Sequence, residues 1–335
     1  MRVFRRSQSF GGATVPSHAS ARVQSSAQHD LPPNDSGSVL VAVNGKERGW
    51  DALEWAAAEA ASRQCALRIV HAFRSSPFFV DPLGTLVDEW NAKAIEAASG
   101  VLTDAVNHAR AVAPTLQVTA HMQEGSTTTA ILREGSRGDA LIVLGRGPNR
   151  GWFRSFISVG RRVTRHAACP VAIVHLTNGP ARGLSAGRVV VGIDRAEDPA
   201  EEVLGFAFRS AERRCVGVTV IYTSTPPDLN AEMVLIDDPA ATLAFKGDCI
   251  ESALQMCRRA HPNVEVRRRF VSVPAVRAFV SGSAGAALLV IDGHTRRARR
   301  RAVLRSAQSP VAIVRPTRAR APLAGNDWDM SAKHE

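Results

Sequence analysis

The sequence predicts an α/β protein made of two tandem, doubly wound domains, each built on a five-stranded parallel sheet. Three observations carry this. Short apolar runs alternate with segments of helical periodicity, the pattern of a parallel sheet with helices on both faces. The alternation occurs twice: Val39-Leu40-Val41-Ala42-Val43-Asn44 is matched by Val189-Val190-Val191-Gly192-Ile193-Asp194, and Cys65 and Cys215 each lie 26 residues beyond the start of these runs. Pro-Val-Ala-Ile-Val occurs at 170–174 and again, unchanged, at 310–314. A repeat of this length is two copies of one domain, not a solenoid of short units.

The elements of the first copy follow in order. Val39–Val43 is continuously apolar, as a strand buried on both faces must be. Trp50–Ser62 has Leu53, Ala56, Ala57 and Ala61 at helical spacing, and Leu67–Phe73 is the next strand. A long helix is expected over Val87–Val112 and a strand over Gln117–His121. Ser126 is placed to cap a helix running through Glu134, with Ile131 and Leu132 inward. Ala140–Leu144 is a fourth strand, Ser158–His166 a helix and Val171–His175 a fifth strand.

The second copy repeats the series. Its strands are expected at Val189–Ile193, Val216–Tyr222, Val264–Val271, Ala287–Ile291 and Val311–Val314. Its helices are expected near Ala200–Arg213, Ala240–Arg259, Ala275–Ser281 and Arg299–Ser306. Pro226 through Asp238 reads as a longer irregular connection. Residues 1–37, rich in Ser, Ala, Gly, Pro and Arg, read as a disordered leader, and 317–335 as a disordered tail. The domains are expected at 38–176 and 187–316, joined by a breaker-rich linker at 177–186.

Bulk properties bound the function. The chain has 335 residues, and each copy of about 140 is long enough to bury a core without disulfides or metals. The five cysteines form no C-x-x-C pair and read as small buried thiols in a reducing cytosol. No apolar run reaches the length of a spanning helix, and the start has no apolar signal core, so a cytoplasmic location is expected. The net charge is +11, and all but four of the 42 basic residues are arginine. The dense cluster Arg296, Arg297, Arg299, Arg300 and Arg301 could attract nucleic acid. A solvated helix face is the better reading, because no aromatics interleave to stack on bases.

Ligands of doubly wound sheets bind beyond the carboxyl ends of the strands, where strand order reverses. Two loops of the first copy end there: Asn44-Gly45-Lys46, and Gly145-Arg146-Gly147-Pro148-Asn149-Arg150-Gly151. Glycines let backbone N–H groups approach phosphate, and a following helix N-terminus adds partial positive charge. Ser158 could cap that helix or donate to a phosphate. A ligand-free turn would carry the same residues. No phosphate loop of the G-x-x-x-x-G-K-[ST] type occurs, no His/Cys spacing suggests metal, and no nucleophile has a legible base and orienter. His71 and His166 read as structural.

These residues resemble the universal stress protein (UspA-like) family in its tandem form. Val39–Gly45 is similar to the family's first strand, which usually ends in Asp-Gly-Ser. Ala52-Leu53-Glu54-Trp55-Ala56 and Ile69-Val70-His71 resemble its first helix and second strand. Val143-Leu144-Gly145-Arg146-Gly147 and Arg161-Arg162-Val163-Thr164-Arg165-His166-Ala167-Ala168-Cys169-Pro170-Val171 resemble its close. The resemblance implies a Rossmann-like fold of the adenine nucleotide alpha hydrolase type.

Its ATP-binding members typically carry G-x2-G-x9-G-[S/T] after the fourth strand. Here Gly147 and Ser158 match, Gly145 stands one residue too near Gly147, and Ile157 replaces the third glycine. Asn44 replaces the usual Asp. By family position Ala42, Asn44, Ala72, Leu144, Gly145, Gly147, Ser158 and Val159 would hold the nucleotide, with Mg²⁺ if ATP binds. The second copy keeps Asp194, but its loop after the fourth strand is seven residues shorter and lacks the motif. The resemblance therefore implies impaired ATP binding in the first copy and none in the second. It also implies a stress-response module that is non-enzymatic or feebly hydrolytic. The copies would form an intrachain pseudo-dimer through their fifth strands, since an apolar edge needs covering, and the chain could dimerise further. The alternatives are an interaction protein without nucleotide and an arginine-rich nucleic-acid binder.

Overall fold

The computed structural model describes residues 22–23, 37–45, 50–74, 85–136, 141–146, 153–174, 185–194, 200–223, 235–236 and 248–315. Gly147, the tail 317–335, most of the leader and most of the linker lie outside them.

After a two-residue strand β1 (Arg22–Val23), the first copy contains β2 (Val39–Val43), α1 (Trp50–Ser62), β3 (Leu67–Phe73) and α2 (Thr85–Val112). It continues with β4 (Val118–Glu124), α3 (Thr127–Gly135), β5 (Leu141–Gly145), α4 (Phe153–His166) and β6 (Val171–Val174). The second copy contains β7 (Val189–Ile193), α5 (Ala200–Arg213), β8 (Val218–Thr223), β9 (Leu235–Ile236) and α6 (Asp248–Ala260). It closes with β10 (Val266–Val271), α7 (Ala275–Gly282), β11 (Leu288–Asp292), α8 (Arg297–Ser306) and β12 (Val311–Val314). Ser126 caps α3 as expected, its side chain accepting from the Thr129 N–H.

Most predicted boundaries lie within two residues of the observed ones, the usual fraying of element ends. Three differences matter. First, α4 begins at Phe153, five residues before the expected Ser158. Second, β1 and β9 occur in segments read as leader and irregular connection. They pair antiparallel with β4 and β10, adding a short strand to each outer edge of the sheet. Third, Cys65 and Cys215 are not structural equivalents. Among the described residues, the non-glycine residues with positive φ are Gln64 (54°) and Cys215 (52°), each ending its helix in the left-handed conformation. Gln64 lies 25 residues after Val39 and Cys215 lies 26 after Val189, so the stretch from the first strand to the end of the following helix is one residue longer in the second copy, α5 having 14 residues where α1 has 13. Hence Trp55 and Glu59 of α1, with Arg63 just beyond that helix, correspond to Phe206 and Ser210 of α5, with Arg214 just beyond it. The cysteines also differ from the expectation of uniformly buried thiols: Cys257 is buried, but Cys215 is exposed.

The strands form one sheet in the order β1-β4-β3-β2-β5-β6-β12-β11-β7-β8-β10-β9. Within each copy the five main strands are parallel, as predicted. The copies meet where β6 pairs antiparallel with β12. Val171 faces Ile313, Ala172 faces Ala312 and Ile173 faces Val311. Identical Val-Ala-Ile segments thus pair about an Ala–Ala centre, which gives the junction local two-fold symmetry. Every residue of β6, β7, β8, β11 and β12 is buried, as central strands covered on both faces require.

One face of the sheet carries a single core that runs through both copies, from Leu53 and Ala56 of α1 to Leu204 and Phe208 of α5. The other face carries two cores, one per copy, and Leu304 of α8 packs against both. No described helix is long and apolar enough to cross a membrane.

Candidate functional site

In each copy the strand order reverses beside the first strand, between β2 and β5 and between β7 and β11. This is where a doubly wound sheet opens a crevice at its carboxyl edge.

In the first copy Asn44 and Gly45 leave β2 exposed at this edge. Gly45 has φ +69°, and a Cβ there would lie 2.6 Å from Val101 Cγ2 on α2, so only glycine fits. Gly145 ends β5 close under α1, with room for a Cβ only 3.3 Å from that of Ala52. Four residues assigned to the nucleotide site by resemblance, Ala42, Ala72, Leu144 and Val159, meet in one cluster on the α3 and α4 face. Leu144 is buried and the other three are half-buried. His71 reaches across from β3, its Nδ1 lying 2.9 Å from the Val43 carbonyl oxygen at the end of β2.

The phosphate side of this crevice departs from the expectation. Because α4 starts at Phe153, Ile157 and Ser158 lie in the second turn of a helix. Backbone N–H groups beyond the first turn bond within the helix, so those of Ile157 and Ser158 do not point at a ligand. Ser158 does not cap the helix. Arg146, next to Gly145, extends its guanidinium into the other copy and donates to the Arg305 carbonyl at the end of α8. Burial pushes the Arg146 pKa down.

The equivalent crevice of the second copy is filled by its own side chains. Asp194 at the end of β7 is buried, and its Oδ2 accepts from Arg299 of α8. Counted from the shared Pro-Val-Ala-Ile-Val, Arg299 stands where the first copy has Val159, at a distance of 140 residues. The loop shortened by seven residues leads α8 straight to this position. Asp292, equivalent to Gly145, folds its carboxylate onto the His294 N–H at 3.0 Å. Arg300 donates to the Gly293 carbonyl. Gly192 stands where the first copy has Ala42, and a Cβ on it would lie 2.7 Å from the ring of Phe279. That ring therefore occupies space above the sheet that the first copy leaves to Ala42. Arg299 and Arg300 thus turn inward, which corrects the reading of the whole arginine cluster as a solvated face. Arg296, Arg297 and Arg301 are exposed.

Two groups of side chains escaped sequence reasoning. Glu59 joins arginines of both copies, as described below. Arg188 is buried beneath β8, donating from Nε to Thr219 Oγ1 and from its terminal nitrogens to Val218 O, Glu265 O and Glu265 Oε2, all at 2.9–3.0 Å. Among the described residues no group of three His, Cys, Asp or Glu side chains could hold a metal ion.

Known proteins share this architecture. The model of the universal stress protein family matches twice, over residues 36–175 and 186–315. A universal stress protein of Mycobacterium tuberculosis strain H37Rv is 26% identical over 300 residues, covering 84% of this chain and 98% of its own. A second from the same strain is 28% identical over 271 residues, covering 78% and 88%. The crystal structure of a universal stress protein from Archaeoglobus fulgidus superposes over 84% of this chain and 97% of its own, with a TM-score of 0.61 at 16% identity, a likeness of fold. With both halves matched by the family model and both folded as the same doubly wound unit, the chain belongs to the universal stress protein family and carries two of its domains in tandem.

Proposed function

We propose that this protein is a non-enzymatic, nucleotide-responsive stress module in which only the first copy binds ligand. The observation that carries this reading is the contrast between equivalent positions. Asn44 is exposed beside an apolar cluster of Ala42, Ala72, Leu144 and Val159, whereas Asp194 is buried against Arg299. The first crevice retains the groups that suit a purine and ribose: apolar walls for the ring faces, and an amide at Asn44 that can both donate and accept. Its phosphate side lacks the glycine-to-Ser/Thr step, since Ile157 and Ser158 are helical. Adenine nucleotide binding is therefore weak, carried by base and sugar, and gains little from Mg²⁺ and the terminal phosphates. The chain functions in the cytoplasm, with domains at 38–176 and 187–316.

The test is a calorimetric titration with ATP·Mg²⁺, AMP and adenosine. The expected result is one site per chain, with affinities for the three ligands within about tenfold of one another. Leu144→Trp, which fills the apolar cluster, abolishes the heat, and Ile157→Gly widens the preference for ATP. No heat with any of the three ligands sinks the proposal in favour of an interaction protein without nucleotide. Two sites per chain refute the closure of the second copy.

A further inference from the structure

The junction between the copies holds a charge arrangement that its two-fold symmetry does not require. On the face shared by α1 and α5, Arg63 lies over the Phe206 ring at 5.4 Å, and its equivalent Arg214 lies over Trp55, the equivalent of Phe206, at 5.7 Å. These two cation–π contacts are reciprocal, each arginine stacking on the other copy's aromatic ring. Between them sits one carboxylate. Glu59, whose side chain is 1% exposed, accepts from Arg63 Nε at 2.6 Å and from Arg214 Nη2, with Arg213 Nη2 at 4.0 Å. The equivalent of Glu59 in the second copy is Ser210, fully buried, with a hydroxyl that has no partner.

The carboxylate is scarce. Three guanidinium groups share it, and Arg63 Nη2 and Arg213 Nε are buried without an acceptor. Burial, aided by the neighbouring Arg63, depresses the Arg213 pKa to about 10. Burial alone would raise the Glu59 pKa, but Arg214, Arg63 and Arg213 outweigh it and hold the carboxyl below its ordinary range.

We propose that Glu59 is the specificity determinant of copy pairing: the second copy's face fits only a partner surface that brings a carboxylate to this point, and therefore cannot pair with itself. Two second-copy faces would bring Arg213 and Arg214 together twice, with Ser210 supplying no charge to either. Desolvated like charges without a counter-ion are among the costliest arrangements an interface can contain. Two first-copy faces would match two Glu59 carboxylates with two Arg63 groups. When chains meet in trans, the second copy therefore accepts a first copy and rejects its own kind.

The test moves the carboxylate across the two-fold axis in the full-length chain. Glu59→Ser leaves the arginines uncompensated. Amide hydrogen exchange at Val171, Ile173, Val311 and Ile313, whose N–H groups face across the paired strands β6 and β12, then accelerates roughly 100-fold, while exchange in β2 and β7 changes little. Adding Ser210→Glu, or Ser210→Asp if the longer side chain does not fit, returns exchange to within about threefold of the parent, because the new carboxylate meets Arg214 just beyond its own helix and Arg63 opposite. A merely structural Glu59 would not be rescued from the other copy. Exchange in Glu59→Ser within threefold of the parent overturns the proposal, as does failure of both Ser210 variants to restore it. Where Glu59→Ser alone does not fold, recovery or non-recovery of folding by the double variants decides the matter in the same way.

Discussion

Replacing Arg299 by valine should destabilise the second copy, and replacing Asp194 by asparagine alongside it should undo most of the damage. The pair lies at the closed crevice, with the Asp194 side chain 3% exposed and that of Arg299 29% exposed. Asp194 Oδ1 already lacks a partner, so Arg299 is the group that compensates this carboxylate. Removing it strands a buried charge. Breaking a fully buried pair costs about 3–5 kcal/mol, and the partial exposure of Arg299 lowers the expectation here to about 2–3 kcal/mol. Arg299→Val with Asp194→Asn installs the two residues that the first copy carries at these positions, Val159 and Asn44. An asparagine in place of the carboxylate needs no counter-ion, so the double variant should recover about 1.5–2 kcal/mol of the loss. The assay is urea unfolding of the parent, both single variants and the double variant, read as a double-mutant cycle. A coupling energy below about 0.5 kcal/mol would refute the reasoning, because the two groups would then be independent and the crevice not held shut by their contact.

Four further outcomes follow from the geometry. Gly45→Ala must adopt φ +69° and meet Val101 at 2.6 Å, so it should cost about 2–4 kcal/mol in chemical denaturation. Gly217→Ala places a methyl 2.3 Å from the Arg188 guanidinium, whereas Gly187→Ala, at φ +72°, meets nothing within 4 Å. The first should lose about 3 kcal/mol or more by dislodging a buried arginine that makes four hydrogen bonds, and the second only about 1–2 kcal/mol. Gly192→Ala collides with the Phe279 ring and should destabilise by about 1–3 kcal/mol, while Ala42→Gly, its counterpart, should change stability by about 1 kcal/mol or less. Because the Glu59 pKa is depressed in the folded protein, its contribution is complete above the unfolded value of about 4.3 and is lost as pH falls through the lower folded value. Acid titration of unfolding free energy should therefore be flatter below about pH 4.3 in Glu59→Gln than in the parent.

The strands were legible because a parallel sheet covered on both faces needs continuous apolar runs, and Val39–Val43, Val189–Ile193 and the repeated Val-Ala-Ile-Val supply them. The pairing of β6 with β12 was legible for the same reason, since two apolar edges in one chain cover each other. The start of α4 was not, because Ser158 offers a cap after the glycine-rich loop, while nothing between Phe153 and Ile157 breaks a helix. The apolar lining of the first crevice was legible by position, and its members do meet. Arg299 was read as surface because its whole neighbourhood is arginine, and only alignment through the shortened loop puts it opposite Asp194. Glu59 left a fainter signal. It lies three residues beyond Ala56 and seven beyond Ala52, on the stripe that α1 buries, and Arg63 follows at i+4.

The two copies differ in ways that the residue ending the first strand, taken alone, reads backwards. The second keeps the Asp there and the first has lost it, which by that residue alone would make the second the better nucleotide site. The shorter loop reverses this, because it delivers Arg299 to the one carboxylate a ligand would need, and Phe279 covers the sheet beside it. A buried Asp with an internal cation has its charge compensated by the fold itself, so its presence no longer reports a ligand. The same logic applies at the junction, where the position of Glu59 holds a charge in one copy and a serine in the other, yet all three arginines around it need that charge. The meaning of each acidic residue is set by which arginine the chain brings to it, and that depends on segment length: seven residues removed before α8 in one case, one residue added between β7 and the end of α5 in the other.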